Sequence, residues 1–348
     1  MESRRTFLQR SALLAAAPFA LGSLPGTSVA RSQAPLHPIS ADPQWHRLEA
    51  AVQHRYAKNK DVRLHYAIAG SGPLVVFVHG FPGWWWTWRK QMAALMDHYT
   101  VAALDMRGYG DSDQPASTAA YAVTQLASDV AAVIEHAGFD QATVVGHDFG
   151  GITSWLLAAF SPKVVQRLAV LNSPHPAIFF RDLHERADQR QAFRYAQTLR
   201  RSNAARLRMP AQFRTAFRGL YKTWSPEPLA LILAAHEPED HKTHLRAMRR
   251  TSIPAAFKYY GANIPAEPFP APSPVFESLR FAGPTLMVWG MDDVYLLPHL
   301  IDGTQNYLDG PYELAQIPDA DHFVHTAQPE RVSATLLDWL SRTDALPA

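Results

Sequence analysis

The sequence predicts an α/β fold: a doubly wound, mostly parallel sheet carrying a helical insertion. Three observations lead there. Short apolar runs alternate with stretches of helical period, which is the pattern of a parallel sheet covered by helices on both faces. The first run, Leu74-Val75-Val76-Phe77-Val78, is apolar throughout, as a strand buried on both faces must be. The alternation then stops between about Ser173 and Pro274, where the chain reads as helical and arginine-rich. With 348 residues, 47% hydrophobic and 18% charged, the composition suits a large globular core and argues against a disordered or coiled-coil chain.

Residues 1–30 have the order of a twin-arginine export signal. Ser3-Arg4-Arg5-Thr6-Phe7-Leu8-Gln9 precedes an alanine-rich apolar stretch from about Ser11 to Leu24 and the small-residue site Ser28-Val29-Ala30. The alternative is an anchoring helix, but the stretch contains Pro18 and is shorter than the roughly 20 residues needed to span a bilayer. The expectation is export to the periplasm or beyond, with no stable membrane span after processing. Removing this segment takes away three arginines and Glu2, which turns a net charge of +2 into a balanced mature chain, so nucleic acid is not an expected partner. The absence of cysteine excludes disulfides and thiolate chemistry. Residues 31–50 contain Pro35, Pro38 and Pro43 and read as a tether.

The core is expected in two parts, 51–172 and 275–348, around an insertion at 173–274. Gln53 to Lys58, a turn at Asn59-Lys60-Asp61, and the alternating Val62-Arg63-Leu64-His65-Tyr66 predict a hairpin. After Leu74–Val78, strands are predicted at Val101–Leu104, Thr143–Val145, Leu168–Leu171, Thr285–Trp289 and Glu313–Ile317. Helices are predicted at Trp86–Met96, Val123–Ala137, Ile152–Phe160 and Pro329–Ser341. From His175 to Ser225 the insertion holds eleven Lys or Arg against three acidic residues; this reads as a solvated helix face, with an anionic or membrane partner as the alternative.

The candidate chemistry sits at strand ends. Thr143-Val144-Val145 runs into Gly146-His147-Asp148-Phe149-Gly150-Gly151 and then a helix, so Asp148 occupies a strand-to-helix turn suited to a nucleophile. A carboxylate there can attack an electrophilic sp3 carbon and form an alkyl ester; a helix-capping aspartate is the alternative. His79-Gly80-Phe81-Pro82-Gly83 can aim the amide of Phe81 at the same point as that of Phe149, giving two oxyanion donors. His79 itself reads as a structural hydrogen-bonding residue. A base to activate water is expected after the last strand, where Pro318-Asp319-Ala320-Asp321-His322-Phe323 offers His322, with His325 as competitor. An acid to orient it is expected after the preceding strand, where Gly290-Met291-Asp292-Asp293 offers two candidates. Trp84-Trp85-Trp86 and Trp88 either anchor the first helix or line an entrance, packing being the commoner use.

From about Gln53 to Ser341 the chain resembles the epoxide hydrolases of the α/β-hydrolase superfamily. The likeness rests on His79-Gly80-Phe81-Pro82, Asp105-Met106-Arg107-Gly108-Tyr109-Gly110-Asp111-Ser112, Gly146-His147-Asp148-Phe149-Gly150-Gly151, Asn172-Ser173-Pro174-His175-Pro176 and the strand ends at Asp293 and His322. The resemblance implies the α/β-hydrolase fold with a helical cap, and it selects Asp293 over Asp292 as the fifth residue of a Trp-Gly-x-x-Asp stretch. It also implies two cap tyrosines that stabilise the opening oxygen. Tyr260 matches in Phe257-Lys258-Tyr259-Tyr260-Gly261 and Tyr195 in Phe193-Arg194-Tyr195, with Tyr221 and Tyr259 as fallbacks.

The same elbow is similar to that of haloalkane dehalogenases, which hold halide with side-chain N–H donors; the matching positions here are Phe149 and Phe81. Fluoroacetate dehalogenases are similar too, but they place arginines where this chain has Phe149 and Ile152. The reaction implied is opening of a small hydrophobic epoxide to a vicinal diol, with no metal or organic cofactor. A haloalkane dehalogenase is the alternative, and an exported binding protein of low turnover a third reading.

Overall fold

The computed structural model of the chain describes residues 30–31, 44–201 and 253–343. Residues 1–29 of the expected export signal, residues 32–43 of the tether and the arginine-rich stretch 202–252, with Tyr221, lie outside the described residues. The strands are β1 (Ala30–Arg31), β2 (Gln53–Asn59), β3 (Val62–Gly70), β4 (Leu74–Val78), β5 (Thr100–Leu104), β6 (Ala142–His147), β7 (Val165–Leu171), β8 (Thr285–Gly290) and β9 (Tyr312–Ile317). They form one sheet in the order β1-β9-β8-β7-β6-β4-β5-β3-β2. β3 pairs antiparallel with β2 and with β5, and the other neighbours are parallel. The predicted hairpin is β2–β3, and its turn places Lys60 at a positive φ.

The helices are α1 (Gln44–Ala51), α2 (Arg89–Leu95), α3 (Val123–His136), α4 (Phe149–Phe160), α5 (Pro176–Glu185), α6 (Ala187–Ala192), α7 (Tyr195–Arg201), α8 (Ile253–Asn263), α9 (Pro274–Glu277), α10 (Val324–Ala327) and α11 (Pro329–Thr343). Each of the strands β4 to β9 feeds two cores, because successive side chains point to opposite faces. Val76 and Val78 of β4 and Met287 and Trp289 of β8 meet Leu126, Val130 and Trp155 of α3 and α4. Val75, Phe77, Leu286 and Val288 meet Met92 of α2 and Leu336 and Trp339 of α11. The unbroken apolar runs are thus a consequence of burial on both sides.

Several boundaries differ from the sequence expectation, among them two at the start of the fold. Residues 44–51 form α1 instead of continuing a tether, and α1 buries Leu48 against the α2 side of the sheet while Arg47 pairs with Asp97 at 2.8 Å. Trp45, Leu48 and Val52 stand at helical spacing, a short signal that the proline-based tether reading passed over. The helix predicted from Trp86 is a 3-10 turn over Trp85–Trp88 that runs into α2.

Between β7 and β8 the described residues are helical, α5 to α9, and contain no strand. Phe179, Phe193 and Leu199 from these cap helices join Phe257, Tyr259 and Tyr260 of α8 in the same buried cluster as the α3–α4 side of the sheet. Among the described residues no helix is long and apolar enough to cross a membrane.

Candidate active site

Because β4, β6, β7, β8 and β9 run parallel, the loops that leave them open on one edge of the sheet, where clefts form in open α/β folds. The loop after β6 holds Asp148 at φ 53°, a backbone region that non-glycine residues adopt rarely and at some cost. Its neighbours make that turn possible. A Cβ on Gly150 would strike the carbonyl oxygen of Val78, and one on Gly80 would strike the Asp148 carboxylate itself. Ser173 Oγ donates to the Asp148 carbonyl at 2.9 Å, fixing the elbow from the far side. Asp148 stands at the start of α4 without a side-chain capping bond, so the capping alternative does not describe it.

The carboxylate has two different sides. Its Oδ1 accepts the Phe81 amide at 2.8 Å. Its Oδ2 faces His322 Nε2 at 3.6 Å. His322 Nδ1 lies 2.7 Å from Asp293 Oδ2, and Asp293 Oδ1 accepts the amides of Tyr295 and Leu296 at 2.8 and 2.9 Å. Asn172, itself at φ 40°, donates from Nδ2 to Asp293 Oδ2 at 2.8 Å and accepts the Gly290 amide at 2.9 Å, locking the acid's loop to β7. All three predicted residues therefore meet, and Asp293 is the partner of His322. Asp292 is exposed.

Burial alone would raise the pKa of Asp148, but the facing His322 imidazole outweighs it and holds the carboxyl below the usual carboxylate value. Burial likewise opposes charge on His322, yet the Asp293 and Asp148 carboxylates outweigh it and lift the imidazole to about 10. The resting site is an Asp148 carboxylate against a His322 imidazolium.

The cap tyrosines close the site. The Tyr260 ring stands edge-on to Phe149 at 5.0 Å and to Phe81 at 5.8 Å, over the two oxyanion donors. The rings of Tyr195 and Tyr260 stand 6.1 Å apart, and burial, with the Asp148 charge adding to it, raises both phenols well above their ordinary value. Tyr259 is not an alternative acid: its hydroxyl donates to the Arg107 carbonyl at 2.7 Å, where it joins the cap to the core.

His79 is structural, with Nδ1 on the Gly80 carbonyl at 2.8 Å and Nε2 accepting the Met106 amide at 3.1 Å. His325 is stacked on Trp88 at 4.3 Å, behind His147, and the four tryptophans are packed in the α2 side of the core. Among the described residues no group of three or more His, Asp or Glu could hold a metal ion.

Sequence reasoning missed Asn172 as the support of the acid and Tyr295 as a wall of the site. The Tyr295 ring lies 5.6 Å from His322 and 5.4 Å from Tyr195. Its place two residues after Asp293 was the only available signal.

An elbow carboxylate facing a His–Asp pair across the edge of a mostly parallel sheet defines a hydrolase-type site. The chain belongs to the α/β hydrolase fold family, whose model matches residues 73–327. It is 27% identical over 310 residues to epoxide hydrolase 4 of Mus musculus, covering 82% of this chain and 79% of that protein. It is 28% identical to the AB hydrolase superfamily protein YfhM of Bacillus subtilis, covering 83% of this chain and 98% of that one. Among solved structures, the Bacillus megaterium epoxide hydrolase bound to an inhibitor matches 82% of this chain and all of its own, at 27% identity and a TM-score of 0.71.

Proposed function

We propose that the protein is an epoxide hydrolase that works through a covalent ester on Asp148. The observation that carries this reading is the two-sided carboxylate, with Oδ1 on the Phe81 amide and Oδ2 facing His322, beside the packed rings of Tyr195 and Tyr260. The relatives named epoxide hydrolase support the choice of substrate.

In the first half-reaction an Asp148 oxygen bonds to an oxirane carbon, the ring C–O bond breaks, and the oxygen takes a proton from a phenol kept neutral by burial. Forming the ester removes the Asp148 charge, one of the two carboxylates that hold the His322 proton. That proton replaces the one the phenol gave up, leaving a neutral ester and a neutral imidazole. In the second half-reaction His322, oriented by Asp293, takes a proton from water as the oxygen adds to the ester carbon. The oxyanion forms on the oxygen held by the Phe81 amide, where the amide of Phe149, the residue after the nucleophile, can serve as the second donor. Collapse breaks the bond to the alkyl oxygen, which takes the remaining proton of the added water and leaves as a vicinal diol, returning Asp148 as carboxylate and His322 as imidazolium.

Replacing His322 by Gln and digesting after incubation with epoxide tests the chemistry. The expected result is an adduct of substrate mass on the peptide carrying Asp148; with a substrate the wild type turns over, its absence counts against the ester. We further propose that Arg4-Arg5 and the apolar stretch that follows them direct export. Amino-terminal sequencing of secreted or periplasmic protein should begin after Ala30, and retention of an intact chain in the cytoplasm would refute it.

A further inference from the structure

We infer that His147, the residue before the nucleophile, is a positioning residue for the base and acts in the ester-hydrolysis half of the reaction. The inference rests on the covalent reading of the site. His147 ends β6 and is 2% exposed. Its Nε2 lies 2.8 Å from the backbone oxygen of His322; a carbonyl can only accept, so Nε2 carries the hydrogen and donates. The ring packs between those of His322 at 4.8 Å and His325 at 4.6 Å, with Phe323 at 5.7 Å. Burial first, and the His322 charge second, push its pKa down to about 4, so it stays a neutral donor beside a charged neighbour.

His322 is thus held at three points: Nδ1 by Asp293, Nε2 by Asp148 and the backbone by His147. The second of these is an ion pair only while Asp148 is a carboxylate. Once the ester forms, the bonds to Asp293 and His147 are the two of these three that still hold the imidazole over the ester carbon. His147 belongs to the strand that carries the nucleophile, so its bond ties the base to the elbow within one rigid element. Its loss should therefore spare alkylation, when the ion pair still holds His322, and slow hydrolysis.

Rapid mixing with quenched-flow detection of the Asp148 ester separates the two rates. His147→Phe keeps the ring and loses the donor; we expect alkylation within about twofold of wild type and hydrolysis about tenfold slower, near the worth of one hydrogen bond. The ester should accumulate at steady state. His147→Gln, whose amide can donate toward the same carbonyl, should recover much of the hydrolysis rate. Equal slowing of both steps in His147→Phe, no slowing of either, or no recovery by Gln overturns the inference alone. Absence of any ester in wild type and both variants overturns the covalent reading with it.

Discussion

Asp148 and His322 carry opposite charges in a site that burial makes hostile to either charge alone, so each keeps its charge through the other. The pH dependence of stability follows from the direction of these shifts. The raised His322 contributes stability that is complete below about 6.5, its ordinary value, and is lost as pH climbs toward about 10. His147, lowered to about 4, and His175, lowered to about 3, work the other way: their contribution is present above about 6.5 and disappears as pH falls through those values. His322→Gln should accordingly lower Tm more at about pH 6 than at about pH 10, and a difference independent of pH would contradict the assignment. Asp148 and His322 were legible in the sequence because each follows an apolar run at a turn, while the same reasoning left Asp292 and Asp293 open and the family resemblance chose between them. His147 and Asn172 were not, because their bonds to the catalytic loops span 175 and 121 residues, and nothing local marks a contact that long.

At the scale of elements, α8 matters because it presents Tyr260 on a helix that the core grips from several sides. Tyr259 donates to the Arg107 carbonyl, Lys258 Nζ reaches the Ala116 carbonyl at 2.7 Å, and Asn263 accepts the Val123 amide at 2.8 Å while donating to Tyr121. The grip rests on a buried ion pair, Arg107 with Asp129, whose two bonds are both 2.6 Å and which Asn59 completes. Tyr259→Phe should cost about 1 kcal/mol in urea unfolding, the usual net worth of one hydrogen bond, and reduce kcat through a displaced Tyr260. Asp129→Ala leaves a buried guanidinium without its carboxylate and should cost about 3–5 kcal/mol in the same measurement. If Tyr259→Phe leaves kcat untouched, α8 does not depend on this bond for its register. The sequence placed both tyrosines side by side with no physical basis for choosing between them. One turns to the core and the other to the site, and that division depends on how α8 docks, which no helical period of its own reveals. The start of α4 was read three residues late for a related reason: Gly150 and Gly151 serve the elbow and leave no apolar pattern in the first turn.

Across the whole molecule, the sheet supplies a nucleophile and base that could serve any good electrophile, and the cap supplies what makes the choice. The strand order brings the ends of β4, β6, β8 and β9 together whatever lies above them. Over them the cap sets Tyr195 and Tyr260, and with Phe81, Phe149 and Tyr295 these line the site with aromatic rings. An epoxide oxygen stays bonded to carbon and leaves as a strong base, so its departure depends on a proton donor; a bromide ion needs none. The double variant Tyr195→Phe/Tyr260→Phe should therefore lose about 10²–10⁴ in alkylation by an aryl epoxide, the span of general acid catalysis. Any slower alkylation of Asp148 by a primary alkyl bromide of similar size should change by less than about tenfold, which quenched-flow measurement of the ester would read for both substrates. Equal losses on the two would mean that the tyrosines shape the pocket without donating a proton, and the choice of epoxide over halide would then have to lie in the sheet.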